Sequence, residues 1–155
     1  MPIEIRQATA ADIPVLVDLM ADFYAEASFA LDREWAARSF TALLADPARN
    51  AAWIAWLGGK PVGHVVLCAR HSMEFGGLDG SIDDLYVRPA ARRRGIGHAL
   101  LERLVAHARA QGILALHVEV APDNAAAQAL YASLGLRPTP DRQVLVTRLA
   151  SAELR

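Results

Sequence analysis

The chain has 155 residues, a formal net charge of −1 and 54% hydrophobic residues. A chain of this length buries about 70% of its unfolded surface around one core, so we predict a single domain over residues 1–155. The near-neutral charge argues against a nucleic-acid-binding protein, and the lack of an apolar run near ~20 residues argues against a membrane helix. The first residues show no secretory-signal pattern. We therefore expect a cytoplasmic protein without membrane or nucleic-acid partners.

The N-terminal half predicts a strand, two helices and then a series of strands. Residues 3–8 alternate apolar and polar, as a half-buried strand does, and apolar residues at spacings of three and four predict a first helix to about Ala27. A second helix is predicted over residues 32–45. Gly58-Gly59 between two apolar runs indicates a β-hairpin, and a glycine-rich loop precedes a further strand at residues 82–88.

The C-terminal half predicts alternating helices and strands. A helix with Leu100, Leu101 and Leu104 on one face ends at Gln111-Gly112. A strand over residues 113–120, a short helix over 124–134 and a last strand over 144–149 follow. This order mixes hairpins with crossover units, so we predict an α/β sandwich around a mixed sheet.

The junction between the predicted strand at residues 82–88 and the next helix has the composition of an anion site. Arg92, Arg93 and Arg94 precede Gly95 and Gly97 at the start of the helix. Free N–H groups of a first helical turn and the helix dipole attract anions, and glycines let a phosphate approach the main chain. The pattern is neither a P-loop nor a dinucleotide fingerprint, which disfavours ATP and NAD. A solvated arginine run that caps a helix is the alternative.

A second motif follows and makes the pattern specific. The two motifs, in chain order, are Arg92-x-x-Gly95-x-Gly97 and Asn124-x6-Tyr131-x3-Gly135-Leu136. Together they resemble the acetyl-CoA-binding half of the GNAT family of N-acetyltransferases, over residues 81–136, whereas residues 1–80 match only in element order. The resemblance implies a mixed, mostly antiparallel sheet that splays between its fourth and fifth strands, with helices on both faces.

The same resemblance implies acetyl-CoA as the cosubstrate. Its pyrophosphate is expected on the backbone N–H groups of residues 93–99, and its pantetheine arm along the strand edge at residues 85–87. Asn124 is expected to fix the arm, with a helix cap as the alternative. The implied cofactor-binding residues are Leu85, Tyr86, Val87, Arg92, Arg93, Arg94, Gly95, Ile96, Gly97, His98, Ala99, Asn124 and Tyr131.

Tyr131 and Glu119 are the predicted catalytic residues. A phenol with an ordinary pKa of ~10 can protonate a departing thiolate whose parent thiol lies near ~8.5, so Tyr131 is the predicted general acid, with a core tyrosine as the alternative. The position of Glu119 is similar to that of the general base in ribosomal-protein N-terminal acetyltransferases. Glu119 is therefore the leading candidate to take the proton of the amine. Asp83 and Asp84 compete for this role.

The acceptor side is predicted to be acidic. Tyr24, Glu26 and Glu74 are candidates to line a pocket for a cation, with a plain surface loop as the alternative for each. Asp83 and Asp84 are further candidates, with a surface or salt-bridged carboxylate as the alternative. The predicted reaction is direct attack of a primary amine, of a small molecule or of a peptide N-terminus or lysine, on acetyl-CoA. The alternative is a non-catalytic CoA-binding regulatory module. The histidines have no metal-ligand spacing, so no metal is expected, and the resemblance allows a homodimer.

Overall fold

Five strands form a single sheet in the computed structural model, which describes residues 1–150. They are Ile3–Gln7 (β1), Asn50–Leu57 (β2), Lys60–Ser72 (β3), Gly77–Val87 (β4) and Ala115–His117 (β5). Their spatial order follows the sequence, β1 to β4 pair antiparallel, and β5 pairs parallel to β4. The predicted mixed, mostly antiparallel α/β fold is confirmed.

Helices cover both faces of this sheet. Within residues 1–150 they are Ile13–Glu26 (α1), Arg33–Leu44 (α2), Ile96–Ala110 (α3) and Ala125–Ala132 (α4). None of these four helices is long and apolar enough to span a bilayer. The α2 helix starts at a proper cap, because the Asp32 side chain accepts a hydrogen bond from the backbone N–H of Trp35 at 3.1 Å. The predicted bounds of the first two helices agree with the structure to within one or two residues.

Strand alternation divides the core into two clusters, one on each face. On the α1–α2 face, Leu16 and Leu19 of α1 pack with Phe40 of α2 over Ile54 and Val66 of the sheet. On the α3–α4 face, the larger cluster joins the apolar side of α3 to the opposite side of the same strands; its fully buried members include Trp53, Val65, Leu67, Leu100, Leu101 and Leu104. The two faces of the sheet matter for function because they present different side chains at the edge of β4.

The sheet opens between β4 and β5. The two strands pair only at Asp79–Ala115, Gly80–Leu116 and Ser81–His117, after which β4 continues alone to Val87. A register shift in the pairing of β3 with β4, between Val65 and Leu67, accompanies the opening. We call the place where pairing stops, at Ser81 and His117, the fork. It is the splay between the fourth and fifth strands that the resemblance implied.

Two sequence predictions about strands are wrong. The strand predicted over residues 113–120 is ordered as β5 over Ala115–His117 alone, because the chain leaves the sheet at the fork. Residues 144–149 form no strand, and Leu145 is 88% exposed. Strand propensity shows only that a side chain fits a half-buried sheet surface. It does not show whether a partner strand is available.

The glycine-rich segment predicted as a loop before residue 82 belongs to β4 from Gly77 onward. A Cβ atom on Gly80 would lie 2.8 Å from Leu116 and 2.9 Å from Leu67, and one on Gly77 would lie 2.9 Å from Leu114. These glycines therefore allow close packing beside β4, a role that sequence patterns of turn residues do not reveal.

His64 gives the fold an acid-sensitive point. It lies on β3 with no exposed surface, and within residues 1–150 neither ring nitrogen has a hydrogen-bond partner. Burial lowers its pKa from 6.5 to about 4. Between these values the unfolded chain binds a proton that the native protein does not, so we expect the free energy of unfolding to fall by about 3 kcal/mol as the pH drops from 6.5 toward 4.

Urea titrations at several pH values check this expectation. A His64→Leu variant should lose much of the slope of stability against pH in that window, while His71→Gln, at an exposed histidine of the same strand, should keep it. Equal slopes in His64→Leu and the wild type would show that other groups cause the acid sensitivity.

Candidate active site

The connection from β4 to α3 has the backbone geometry of an anion-binding loop. Arg93 and Gly95 adopt left-handed φ angles of 64° and 77°, and α3 begins directly afterwards at Ile96. Such turns orient successive N–H groups toward one side, where the first N–H groups of the helix also have no partner within it. A Cβ on Gly95 would meet no atom within 4 Å, so glycine is favoured here by the φ angle rather than by space.

Gly97 has a second role that the sequence did not predict. A Cβ on this residue would lie 3.2 Å from Cδ2 of Leu130, so its absence lets the start of α3 pack closely against α4. Leu130 is followed in α4 by Tyr131. A substitution at Gly97 disturbs this helix contact as well as any anion bound at the loop.

The arginines of the loop fall into two groups. Arg92 donates two hydrogen bonds to the Glu26 carboxylate, at 2.7 and 2.9 Å, and one to the carbonyl oxygen of Val87 at 2.8 Å. Arg88 pairs with Asp22 at 3.0 Å in the same way. These two pairs fasten the C-terminal half of α1 to the connection between β4 and α3. Arg92 was predicted from its motif to bind the cofactor, and no motif indicated Asp22.

Arg93 and Arg94 make up the second group. Both are exposed, and within residues 1–150 neither takes part in an ion pair. Unpaired guanidinium groups beside a helix start are available to a phosphate. His98, in the first turn of α3, contacts Glu102 at 2.5 Å.

The strand before the loop contributes its backbone edge. Leu85 and Val87 are half-buried against the α3–α4 cluster, whereas Tyr86 is 4% exposed and stacks on Phe23 of α1 with ring centroids 5.2 Å apart. On the side toward β5, β4 has no strand partner after Ser81 in the described part of the chain. The backbone groups of residues 85–87 that point away from β3 are therefore placed for pairing with an extended ligand.

Tyr131 and Asn124 lie on and beside α4. Tyr131 is 8% exposed within the α3–α4 cluster, and burial raises the pKa of its phenol above the ordinary 10, so the phenol is protonated at neutral pH. The Asn124 side chain caps α4, because its Oδ1 accepts a hydrogen bond from the Ala127 N–H at 3.1 Å. The cap occupies the carbonyl oxygen of the amide and does not use its NH2 group.

A small cavity lies at the fork. It has a volume of about 130 Å³ and is lined by Ser81, Ile82, Asp83 and Glu119. Asp83 and Glu119 are exposed side chains from the two diverging strands, so the opening of the sheet brings together two of the three carboxylates predicted to compete as the base. A ligand that enters between the strands meets both of them.

Comparison with known proteins decides the family. The model of the acetyltransferase (GNAT) family matches residues 15–136. The chain belongs to this family. Over 65 residues it is 38% identical to the ribosomal protein bS18-alanine N-acetyltransferase of Salmonella typhimurium. The aligned region covers 42% of this chain and 44% of that protein. An IAA acetyltransferase of Azospirillum brasilense is 37% identical over 82 residues, or 53% of this chain and 54% of that protein. The chain thus spans about half the length of the curated relatives it matches.

Solved structures extend the similarity to nearly the whole chain. An integron cassette protein from the mobile metagenome of Cole Harbour Salt Marsh superposes with a TM-score of 0.86 at 39% identity, covering 95% of this chain and 91% of that one. An aminoglycoside acetyltransferase from an uncultured soil metagenomic sample gives a TM-score of 0.73 at 26% identity, covering 98% and 100%. A predicted acetyltransferase of Clostridium acetobutylicum, solved with acetyl-CoA, has a TM-score of 0.78 at 20% identity over 94% and 96%, and shows the fold alone.

The remaining acceptor-side candidates of this GNAT protein do not form one pocket. Glu26 lies beside Val87 through its ion pair with Arg92, whereas Glu74 precedes the other end of β4 and pairs with Arg142 at 2.9 Å, which lowers the pKa of Glu74. The 11 residues of β4 separate these two ends by about 35 Å. Tyr24 is half-buried on α1, edge-on to Phe23.

Cys68 is not an activated nucleophile in this GNAT protein. Burial, and then the charges of Asp83 and Asp84, raise the pKa of its thiol to about 11. A thiol in this state is protonated at neutral pH and reacts slowly. Within residues 1–150, no group of three or more His, Cys, Asp or Glu side chains is arranged to hold a metal ion.

One ionisable pair near the fork was not predicted from the sequence. Asp79 of β4 is 3% exposed, and its Oδ1 lies 2.9 Å from Nδ1 of His117, the last residue of β5. The available signal was alternation, since His117 and Glu119 are two residues apart on a predicted strand and must share a face. The partner, Asp79, is 38 residues away in the sequence, and only the strand pairing reveals it.

Proposed function

We propose that this protein is an N-acetyltransferase that moves the acetyl group of acetyl-CoA to a primary amine by direct attack. The observation that carries the proposal is the fork, because it places the unpaired edge of β4 between an anion-binding loop and a cavity lined by carboxylates. Cofactor and acceptor can then approach the same point from two sides.

The cofactor fits the α3 side of this arrangement. The pyrophosphate would bind the N–H groups at residues 93–99, with Arg93 and Arg94 as counter-charges. The pantetheine arm would pair with the β4 edge at residues 85–87, in the manner of an added strand. Arg92 contributes by fixing the loop to α1, since its guanidinium is already held by Glu26 and Val87.

The chemistry then needs two proton transfers. An alkylammonium must lose a proton before its nitrogen can attack the thioester carbonyl, which costs about 5 kcal/mol at neutral pH. Glu119 lines the fork cavity and is the proposed acceptor of this proton, with Asp83 of the same cavity as the alternative. A backbone N–H of the unpaired β4 edge stabilises the oxyanion, and Tyr131 donates its proton to the departing CoA thiolate. The phenolate is reprotonated from solvent.

The acceptor class follows from charge. Asp83 and Glu119 give the fork cavity two exposed carboxylates, which attract an ammonium group. Relatives are named as a ribosomal protein bS18-alanine N-acetyltransferase and as an aminoglycoside acetyltransferase, so alanine-containing peptides and aminoglycosides both belong in an acceptor screen. We propose a cationic small molecule or a peptide N-terminus or lysine as the acceptor.

The test combines binding with turnover. Acetyl-CoA and CoA should raise the melting temperature, because a ligand specific for the native state stabilises it. Release of the CoA thiol should then depend on an acceptor from a panel of spermidine, kanamycin, free alanine, an alanine-starting peptide and an internal-lysine peptide. A CoA-induced shift without acceptor-dependent release would support the non-catalytic module instead, and no shift at millimolar CoA would contradict both.

Glu119→Gln should lower the rate in a pH-dependent manner. The amide keeps the shape of the side chain but cannot take a proton, so the deficit in kcat should be largest below the pKa of the acceptor amine and should shrink as the pH rises toward it. Steady-state kinetics from pH 6.5 to 9.5 with the best acceptor measures this, and Asp83→Asn is the matched comparison. A deficit that is constant with pH would assign Glu119 to positioning, and a larger deficit in Asp83→Asn would assign the proton to Asp83.

A further inference from the structure

The His117–Asp79 pair joins a buried carboxylate to a half-exposed imidazole outside the predicted site. The Asp79 side chain is 4% exposed while that of His117 is 49% exposed, and Nδ1 of the ring lies 2.9 Å from Oδ1 of the carboxylate. Within residues 1–150 this contact is the only ion pair of Asp79, although the two atoms are not aligned as a hydrogen bond. A carboxylate is costly to bury unless it is paired, so Asp79 needs the imidazole or another donor beside it.

The pair lies on the side of the chain that also presents Glu119. Val118 and Val120 pack against the α3–α4 cluster, whereas His117 and Glu119 are exposed, so these two side chains share the opposite face of the extended segment. His117 is also opposite Ser81 in the last pair of β4 and β5, and Ser81 lines the fork cavity together with Glu119. His117 is therefore two positions from one residue of the cavity lining and paired across the strands with another.

We propose that His117, oriented by Asp79, receives the proton of the acceptor amine after Glu119. This inference rests on the proposed function. The ammonium N–H bond breaks as Glu119 takes the proton, and the freed electron pair attacks the thioester carbonyl. The proton passes from Glu119 through one water molecule to Nε2 of His117, and the imidazolium is neutralised by Asp79. The relayed proton passes from His117 to solvent after the product leaves. Tyr131 supplies the separate proton for the thiolate.

The placement and the chemistry of the imidazole fit this role. Nδ1 of the ring lies beside the Asp79 carboxylate, which leaves Nε2 as the ring nitrogen for the relayed proton. An imidazole has one ring nitrogen that accepts a proton and one that donates, so it can take up a proton from a water molecule and release it to solvent. Asp79 acts through His117 and is a positioning residue.

The test is chemical rescue of His117→Ala. We expect kcat with the best acceptor of the panel to fall by about 10²-fold, and the CoA-induced shift in melting temperature to stay unchanged. Because the His117 side chain is half-exposed, imidazole from solvent can reach the vacated space, and millimolar imidazole should restore kcat at least about tenfold. His71→Ala, at an exposed histidine of β3, is the matched control and should show neither loss nor rescue.

Asp79→Asn tests the positioning role with little change in volume. We expect kcat to fall about tenfold, with an unchanged KM for acetyl-CoA and no response to imidazole, because the ring is still present. Full activity of His117→Ala, or a loss that imidazole does not restore, would overturn the relay while the proposed function stands. Absence of turnover by the wild type with every acceptor would overturn the proposed function, and the relay with it.

Discussion

Replacing Tyr131 with phenylalanine should lower the rate of acetyl transfer by about 10²- to 10⁴-fold while CoA affinity changes little. The phenylalanine ring keeps the packing of Tyr131 in the α3–α4 cluster and removes only the proton donor. Because burial raises the pKa of this phenol above its ordinary value, the wild type holds the donor proton throughout the neutral range. The thiolate of the variant must take its proton from water or from the ammonium.

Single-turnover kinetics is the appropriate measurement, because it separates chemistry from product release. Calorimetric titration with CoA and thermal unfolding of the variant serve as controls for binding and folding. A Tyr131→Phe protein with an unchanged single-turnover rate would show that Tyr131 is a packing residue and that another source protonates the thiolate.

Reversing the charges of Arg93 and Arg94 should weaken CoA binding by about 10²- to 10³-fold. Arg93→Glu with Arg94→Glu turns two attractions into two repulsions beside the expected pyrophosphate, and each such change is worth about 1 to a few kcal/mol near a protein surface. Both side chains are exposed and form no ion pair within residues 1–150, so the fold should be unaffected. This makes them cleaner probes than Gly97, whose substitution also disturbs the contact with Leu130.

Titration with CoA at two salt concentrations measures the effect. The deficit should shrink at higher ionic strength, since exposed charges are screened. Arg38→Glu with Arg103→Glu is the matched control, because it changes the net charge equally at exposed positions of α2 and α3. Equal weakening by both double variants would mean that net charge alone attracts CoA and that the loop is not the phosphate site.

Much of the fold was predictable because its signals are local. The hairpin at Gly58-Gly59 and the turn of strand into helix at residues 88–96 depend on residues that are neighbours in the sequence. The length of β5 and the absence of a strand at residues 144–149 depend on whether another strand edge is present, which local patterns do not contain.

The candidate site divides in the same way. Tyr131 and the loop at residues 92–97 were found from motifs, but their roles stay predictions, as do the single domain, the cytoplasmic location and the homodimer. The pairs Arg92–Glu26 and Arg88–Asp22 each join residues 66 apart, and Asp79–His117 spans two strands. Such contacts follow from tertiary packing, so an acceptor role was predicted for Glu26 while its ion pair was not.

The most direct test of the central claim is to find the acetyl group on the acceptor nitrogen. The purified protein is incubated with acetyl-CoA carrying an isotopically labelled acetyl group and with the acceptor that gives the fastest CoA release. Mass spectrometry and NMR of the product should show the label in an amide bond, in an amount equal to the CoA released. Release of CoA with the label recovered as free acetate, and no acetylated amine, would contradict the account.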